Sequence, residues 1–450
     1  MKKKSLILLC LLLAVAMMAS ACGGNNSNSA NTGNTGTSAT ESGSSNASSP
    51  SNTGTDSGSK SGEKVTLDFM TNSADMVLAA YENVAKRYME QNPNVTITVT
   101  SQGKDYESLM KMKMAANDLP DMWMTHGWSV ARYSEYLEPL TNQPWADKIA
   151  DTIRPIISND NGDIFVLPLD IDKSGVVMNL DVLNEAGVNY KELKTWDDFI
   201  NAFEKVKAIG KIPVGMGGKD PRDMAQFFDV MATQMFIASP SNDYSQQLLD
   251  GTFDWSLWDK MSELLLSLQK NGYLNKDVLT CDPDTLNQMV AKNEVAFLFK
   301  TNSVITSIRD YNPDANMGFM PLPTIHPDGR NVFIGGERNA VGVWKDSKNK
   351  EEALKFLEFL AQPENMSEIA KAQGNTAAFK DVQVDLGVLT PYFEEFKDVE
   401  VQPYFDRVYL PSGMWSTLQS VGSGLLSGDL TVDAASKLMQ NDYTRLKSGK

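Results

Sequence analysis

The sequence predicts an α/β protein built from two lobes, and two observations lead to this prediction. After the first 62 residues about 390 remain, which is more than one hydrophobic core usually supports. From Val65 onward the pattern is strand, helix, strand. Val65–Phe69 and Val95–Val99 alternate apolar and polar residues, and between them Val77, Tyr81 and Tyr88 recur at helical spacing.

The first 62 residues are not part of this fold. Residues 1–21 combine a basic start, MKKK, with the 13-residue apolar run Leu6–Met18. This pattern is typical of an export signal peptide, and it is shorter than the roughly 20 apolar residues that span a bilayer. Residues 22–62 are dominated by Ser, Gly, Asn and Thr, a composition that cannot bury a core. We therefore expect a signal peptide followed by a flexible tether.

The composition also excludes several functions. Loss of the three lysines of the signal peptide takes the formal net charge from −16 to −19, and such an acidic surface repels nucleic acid. The chain lacks HExxH, GxSxG and paired-cysteine motifs, so neither a catalytic residue nor a metal or cofactor is predicted. The segment Asp160–Asp163 lacks the 12-residue calcium pattern and is expected to form a hairpin turn.

The run from Phe165 to Gly187 is the centre of the predicted organisation. It contains two apolar extended segments, FVL and VVMNL, separated by Pro168. Proline has no N–H to donate to a strand ladder, so one uninterrupted central strand is not expected. We interpret this segment as a crossing between lobes that places Asp170, Asp172 and Lys173 in a cleft. A surface β-turn is the alternative.

Other segments carry candidate site residues at strand ends. Leu119–Met124 is expected to be a short buried strand, and His126 and Trp128 follow its carboxyl end, where ligands bind in open α/β sheets. Trp128 could instead cap the core. Thr195, with Asp198 three residues later, predicts the start of a helix that ends near Gly210.

The second half of the chain contains further loops and strands that carry candidate site residues. Gly217–Arg222 is a polar glycine-rich loop without the Walker A spacing. Glu294–Phe299 is expected to be a buried strand that leads into Lys300–Asn302. Gly335 and Gly336 separate two strand-like runs and are interpreted as a hinge or a bulge.

Six segments in this order resemble family 1 extracellular solute-binding proteins, the receptor lipoproteins of bacterial ABC importers, with the layout of maltose-binding protein. They are LPDMW (119–123), GDIFVLP (162–168), VVMNLDVLNEAGV with KTWDDF (176–199), NEVAFLF (293–299), SKNKEEALKFLEFL (347–360) and LLSGDLTVDAA (425–435). The resemblance implies a type II periplasmic-binding-protein-like fold whose lobes close on a ligand.

The resemblance also implies boundaries. Three hinge crossings are expected at Leu169–Asp172, Phe299–Asn302 and Gly335–Arg338. The first lobe would comprise residues 63–170 and 303–336. The second lobe would comprise residues 171–302 and 337–450. Cys22 stands where the lipobox cysteine of such lipoproteins is cleaved and acylated, which implies anchoring to the outer face of the cell membrane.

Carried over by position, Trp415 lies thirteen residues before Gly428, as the sugar-stacking tryptophan does in that layout. Asp172 and Asp220 match its acidic residues. Arg222 and Ser303 replace two of its aromatic residues, which argues against maltodextrin and favours a different oligosaccharide, including one with acidic groups. The predicted ligand-binding residues are Asn72, Asp75, His126, Trp128, Asp172, Lys173, Lys219, Asp220, Arg222, Lys300, Asn302, Glu337, Arg338 and Trp415.

The function implied is capture of a carbohydrate and its delivery to the permease subunits of an ABC importer. A monomer is expected, without a cofactor and without catalysis. Two alternatives remain open. The 57 acidic residues could include the carboxylate pair of a secreted glycoside hydrolase, and the same fold could serve a receptor that feeds a sensor kinase.

Overall fold

The computed structural model describes residues 64–125 and 127–449, which form two α/β lobes. The strands are β1 (Val65–Thr71), β2 (Val95–Ser101), β3 (Met122–Met124), β4 (Leu167–Pro168), β5 (Asp170–Asn179), β6 (Ile212–Val214), β7 (Val295–Thr301), β8 (Met317–Met320), β9 (Phe333–Glu337), β10 (Ala340–Val343), β11 (Thr376–Ala377) and β12 (Val401–Pro403). The helices are α1 (Asp75–Gln91), α2 (Tyr106–Ala116), α3 (Arg154–Ile157), α4 (Leu180–Glu185), α5 (Trp196–Ala208), α6 (Arg222–Phe236), α7 (Ser245–Asp250), α8 (Asp259–Lys270), α9 (Pro283–Ala291), α10 (Val304–Tyr311), α11 (Lys350–Leu360), α12 (Pro363–Gln373), α13 (Thr390–Glu395), α14 (Phe405–Val408), α15 (Met414–Ser427) and α16 (Val432–Lys447).

The first lobe is organised on a sheet of order β2-β1-β3-β10-β4. β1 pairs in parallel with β2 and β3, and β10 runs antiparallel to β3 and β4. Side chains such as Tyr81 on α1, Trp123 on β3 and Phe356 on α11 are fully buried against this sheet. The strand–helix–strand unit predicted at the start of the fold is confirmed by β1, α1 and β2.

The second lobe is organised on a sheet of order β12-β9-β5-β7-β6, with β8 and β11 also paired to β5. Every residue of β5 is buried. Aromatic side chains fill the adjoining core, where the rings of Phe199 and Phe203 on α5 contact Phe297 on β7 at centroid distances of 5.2 and 5.7 Å. The long buried strand β5 is therefore the centre of the second lobe, because β7, β8, β9 and β11 all pair with it.

Helix α5 shows how local sequence sets an element boundary. The Thr195 hydroxyl accepts a hydrogen bond from the Asp198 N–H, and the Asp198 carboxylate accepts one from the Thr195 N–H at 2.8 Å. This reciprocal capping box satisfies N–H groups that a helix start leaves unpaired. The predicted helix start at Thr195 is confirmed.

The chain passes between the lobes at three places. It enters the second lobe at Leu169, between β4 and β5, and returns at Arg338 and Asn339, between β9 and β10. It crosses again after β11, between Val382 in the first core and Leu389 in the second.

The crossing predicted at Phe299–Asn302 is wrong. After β7 the chain continues into α10, where Ile305 and Ile308 pack in the second-lobe core. The segment 303–336, which was expected in the first lobe, therefore lies in the second, because β8 and β9 both pair with β5. The segment 337–450 was expected in the second lobe. Its first part lies in the first lobe instead, because β10 and α11 belong there.

Gly335 and Gly336 form neither a hinge loop nor a bulge. Both lie inside β9, where the register with β5 runs without interruption, Gly336 opposite Asp172 and Gly335 opposite Lys173. A Cβ at position 335 would lie 2.0 Å from the backbone oxygen of Asp172. Glycine is needed here because the two backbones approach each other too closely for a side chain.

A buried carboxylate joins the first two crossings to the segment that leads into β11. Asp170, which is fully buried, accepts hydrogen bonds at Oδ1 from the Asn339 N–H (2.8 Å) and at Oδ2 from the side-chain amides of Asn339 (2.7 Å) and Asn375 (3.0 Å). Burial raises the pKa of Asp170 to about 6, and the N–H donors oppose that rise. These three residues stand beside the passages at β4–β5, β9–β10 and β11.

The predicted signal peptide, Cys22 and the tether lie outside the described residues. Over residues 64–125 and 127–449, no helix combines the length and the apolar character that crossing a membrane requires.

We predict that Asp170→Asn lowers the free energy of unfolding by about 2–3 kcal/mol. An amide NH2 group placed among the donors of Asn339 and Asn375 would leave at least one buried N–H without an acceptor. Urea denaturation measures the change, and Asp160→Asn, in an exposed turn, is the matched control. Equal stability of the two variants would contradict the role assigned to Asp170.

Candidate functional site

A cleft with a volume of about 1280 Å³ lies between the two lobes. The first lobe contributes residues 72–77, 128, 131–132 and 372–373 to its walls. The second lobe contributes residues from the starts of α6, α9, α10 and α15 and from the segment 404–413. The cleft is therefore built jointly by the two lobes, close to the crossings.

Several helices begin at this cleft. The first residues of α1, α6, α9, α10 and α15, or the residues just before them, line it. A helix start carries unpaired N–H groups and the positive end of the helix dipole, so it favours oxygen acceptors nearby. Carboxylates occupy several of these positions, including Asp75 and Asp284 in the first turns of α1 and α9.

Asp172 and Tyr404 lie together where β5 meets the cleft. The Tyr404 hydroxyl donates to Asp172 Oδ2 at 2.6 Å, and both side chains are buried. Asp172 Oδ1 has no hydrogen-bond partner among the described residues. One oxygen of this carboxylate is thus fixed, and the other is left without a donor in the described part of the chain.

A second acidic feature is the pair Asp229 on α6 and Asp406 on α14. The Asp406 N–H donates to Asp229 Oδ1 at 2.8 Å, while Asp229 Oδ2 has no partner among the described residues. Burial raises the pKa of Asp229 well above its usual value, and the neighbouring Asp406 charge raises it further. Burial also raises the pKa of Asp406, against the effect of Arg407. Burial of both side chains and their mutual proximity therefore favour the protonated form of this pair.

Cations in the cleft are largely compensated by carboxylates. Ion pairs join Lys300 to Asp223 (2.7 Å), Arg132 to Glu107 (2.7 Å) and Arg222 to Asp220. An anionic sugar would have to compete with these carboxylates for the same cations. The geometry does not favour the acidic oligosaccharide that the sequence had suggested.

Two indoles line the cleft in different settings. Trp415, in the first turn of α15, is half-buried and packs against the second-lobe core. Trp128 carries the Arg132 guanidinium 3.8 Å from its ring centroid, and Arg407 lies 5.3 Å away. The Arg132 guanidinium also donates to the Ser412 hydroxyl at 2.9 Å, which links the lobes across the cleft.

The structure brings most of the predicted site residues together. Those that line the cleft are Asn72, Asp75, Trp128, Asp172, Asp220, Arg222, Lys300, Arg338 and Trp415. His126 lies outside the described residues. The remaining predicted residues, Lys173, Lys219, Asn302 and Glu337, are placed elsewhere.

Lys173 is buried in the second lobe and not in the cleft. Its ammonium lies 5.2 Å from the ring centroids of Phe333 and Phe393. Successive residues of a strand point to opposite faces, so Asp172 and Lys173 cannot both face the cleft. Burial lowers the pKa of Lys173 to about 8.

The other three residues have structural partners. The Asn302 amide donates to the Gly374 carbonyl oxygen at 2.6 Å, a contact between lobes. Lys219 is exposed and pairs with Asp282 at 3.1 Å. Glu337 is buried, accepts a hydrogen bond from the Ser129 hydroxyl at 2.8 Å, and lines a separate cavity.

Several cleft residues were not predicted: Glu107, Arg132, Gln226, Asp229, Gln373, Tyr404, Asp406 and Arg407. One of them left a signal in the sequence, because Asp229 interrupts the otherwise apolar run from Phe227 to Met231 on α6. The segment 404–407 gave none, since it follows a short edge strand without a periodic pattern. Over the described residues, no group of three or more His, Cys, Asp or Glu could hold a metal ion.

Two lobes, three crossings and a cleft that both lobes line define a two-lobed binding protein. Residues 83–390 match the family described as bacterial extracellular solute-binding protein. The melibiose/raffinose/stachyose-binding protein MelE of Bacillus subtilis (strain 168) is 33% identical over 388 residues, which cover 86% of this chain and 90% of the relative. The chain belongs to the bacterial extracellular solute-binding proteins.

One further sequence relative and two solved structures are also similar to this chain. The multiple sugar-binding protein of Streptococcus mutans is 23% identical over 342 residues, 72% of this chain and 77% of its own. A binding protein of Bacillus subtilis solved in an open conformation matches with a TM-score of 0.82 at 32% identity, covering 85% of this chain and 98% of its own. A sugar transporter protein of Bacillus licheniformis solved in complex with stachyose matches with a TM-score of 0.75 at 33% identity, covering 85% and 100%.

We predict that the stability of the protein falls as the pH rises from about 4 towards 7. In the unfolded chain an aspartate releases its proton near pH 3.9. A carboxyl whose pKa is raised in the folded protein keeps its proton to a higher pH. Between these two pKa values the unfolded state is therefore favoured increasingly as the pH rises, and the free energy of unfolding falls. Asp406→Asn removes one of the two carboxyls and should make the decline shallower. Urea denaturation at several pH values measures the slope.

The matched control for this experiment is Asp433→Asn on the exposed face of α16. Its profile should run parallel to that of the wild type. An Asp406→Asn profile that also runs parallel would show that the pair holds no proton.

Proposed function

We propose that this protein captures an oligosaccharide outside the cell and delivers it to the permease subunits of an ABC importer. The observation that supports this most is a set of buried oxygen acceptors lining the cleft that lack a hydrogen-bond partner among the described residues. They are Glu107 Oε1, Asp172 Oδ1 and Asn287 Oδ1. An unpaired buried acceptor costs about 1–3 kcal/mol, and a ligand rich in hydroxyl donors would remove that cost.

An indole supports the same proposal. Sugar rings present apolar C–H faces, which favour an aromatic surface, and hydroxyl edges, which favour fixed polar groups. Trp415 supplies the aromatic surface on the second-lobe wall, with Arg222 and Asp220 on the same wall. A neutral oligosaccharide therefore fits both the aromatic and the acceptor chemistry of the cleft.

The sugars in the printed names of the relatives narrow the choice. MelE is named for melibiose, raffinose and stachyose, and the Bacillus licheniformis protein was solved with stachyose. Each is about one third identical to this chain over most of its length. We propose raffinose and stachyose as the first ligands to test.

Anchoring and assembly belong to the same proposal. An acylated Cys22 and the tether of residues 23–62 would hold the two lobes close to the outer face of the cell membrane, where the importer lies. We expect the receptor to act as a monomer. The alternative of a glycoside hydrolase finds little support in the Asp229–Asp406 pair. The two carboxyls are within hydrogen-bonding contact, whereas glycosidase pairs stand about 5–9.5 Å apart.

We predict that raffinose and stachyose bind to the purified protein in isothermal titration calorimetry and that maltose binds at least about tenfold more weakly, a difference of about 1.4 kcal/mol. The sugar should be recovered intact by chromatography after incubation. Cleaved sugar would favour the hydrolase. Absence of heat with every sugar would contradict the proposed ligand class.

We predict that Trp415→Ala weakens raffinose binding about tenfold, because loss of an aromatic surface removes about 0.5–1.5 kcal/mol beyond buried area. The midpoint of thermal unfolding should change little, since the indole is only half-buried. Tyr311→Ala, an exposed aromatic outside the cleft, is the matched control. Collapse of the fold in Trp415→Ala would instead identify Trp415 as a core residue.

A further inference from the structure

Arg338 lies at the second crossing, between β9 and β10, and its side chain lines the cleft. The backbone on either side of it is fixed. Glu337 pairs with Ile171 in the second-lobe sheet, and the Asn339 N–H donates to Asp170 at 2.8 Å. The guanidinium is therefore carried by a segment whose path is held on both sides, and such support makes the position of a binding group precise.

Arg338 differs from the other guanidinium groups that line the cleft. Arg132 and Arg222 form ion pairs with carboxylates, and the Arg407 guanidinium packs 4.0 Å from the Tyr404 ring centroid. Within the described part of the chain, the Arg338 side chain has neither a hydrogen bond, an ion pair nor a ring contact. Its donors are therefore not used by the fold.

The same donors can be reached from the cleft. The Arg338 side chain is half-buried, and none of its nitrogen atoms belongs to the unpaired polar atoms that are sealed inside the described part of the chain. A guanidinium carries five N–H donors in a rigid planar fork and stays charged in proteins. Arg338 thus offers a ligand a complete set of charged donors.

The shape of the fork indicates the chemical group that it binds. Two parallel N–H groups match two acceptor oxygens held side by side, which adds geometric specificity to the energy of the hydrogen bonds. Hydroxyl groups on adjacent carbons of a hexose present such a pair of oxygens. A carboxylate presents one too, but Asp75 and Asp284 line the same cleft, and neither forms an ion pair within the described residues. Their charges would repel a carboxylate ligand.

We propose that Arg338 is a specificity-determining residue of the sugar site, whose guanidinium donates in parallel to two adjacent hydroxyl oxygens of one hexose ring. This inference rests on the proposed function and names the part of the sugar that the second crossing recognises. A sugar in which one of these two hydroxyls is missing then binds more weakly.

Two substitutions separate the fork from the charge. Arg338→Lys keeps the charge without the fork, and Arg338→Met keeps neither. In isothermal titration calorimetry with raffinose, we expect a loss of at least about tenfold for Arg338→Lys and a larger loss for Arg338→Met, because hydrogen bonds to charged groups are among the stronger ones. Arg445→Lys, on α16 and paired with Asp442 outside the cleft, is the matched control and should bind as the wild type.

Thermal unfolding of each variant verifies the fold. The midpoints should match that of the wild type, because the Arg338 side chain has no partner within the described chain. Arg338→Lys that binds raffinose as tightly as the wild type would overturn this proposal alone. A wild type that binds none of the sugars would overturn the proposed function and this proposal with it.

Raffinose analogues that each lack one hydroxyl locate the contact. At two adjacent positions the wild type should lose affinity, while Arg338→Lys should lose little more, because the variant has already lost the same hydrogen bonds. Losses that are the same in both proteins at every position would show that Arg338 touches no hydroxyl. Digalacturonate that binds more tightly than raffinose would show that the fork takes a carboxylate. Either result would overturn the proposal.

Discussion

The arrangement of the two lobes depends on the hydrogen bonds that Asp170 accepts. Its carboxylate is fully buried, and backbone and side-chain N–H groups of Asn339 and Asn375 converge on it at 2.7–3.0 Å. Such a group is costly to bury unless all its acceptors are used. Because Asn339 lies at the second passage between the lobes and Asn375 lies just before β11, one carboxylate ties the first passage to both of these segments.

Elements that local chemistry determines were predictable from the sequence. Thr195 and Asp198 cap a helix wherever it lies, and Pro168 ends a strand because it cannot donate to the ladder. The lobe to which an element belongs could not be predicted from local sequence. The strand that ends at Thr301 leads into α10, whose apolar face packs beside α9 in the same lobe, and nothing local to Lys300–Asn302 distinguishes that turn from a crossing.

The same distinction applies to the site. The segment 170–173 was correctly expected beside the cleft, but the pleat of β5 decides which side chains reach it. Asp172 faces the cleft, whereas Lys173 lies over the rings of Phe333 and Phe393, contacts that only the tertiary structure provides. Asp229 and Asp406 are far apart in sequence and meet because α6 and α14 pack together, so no spacing rule could have paired them.

The polar groups of the cleft constrain the ligand in a further way. Three of its cations, Arg132, Arg222 and Lys300, are paired with carboxylates, while several buried carboxylate and amide oxygens have no donor among the described residues. A ligand that brings acceptors, such as a sugar acid, would place negative oxygens beside these groups and leave them unpaired. A ligand that brings donors would pair them, and each pairing would remove a cost that the ligand-free protein bears. That asymmetry favours neutral polyhydroxyl compounds over charged ones through hydrogen-bond complementarity, without requiring the cleft to carry a net charge.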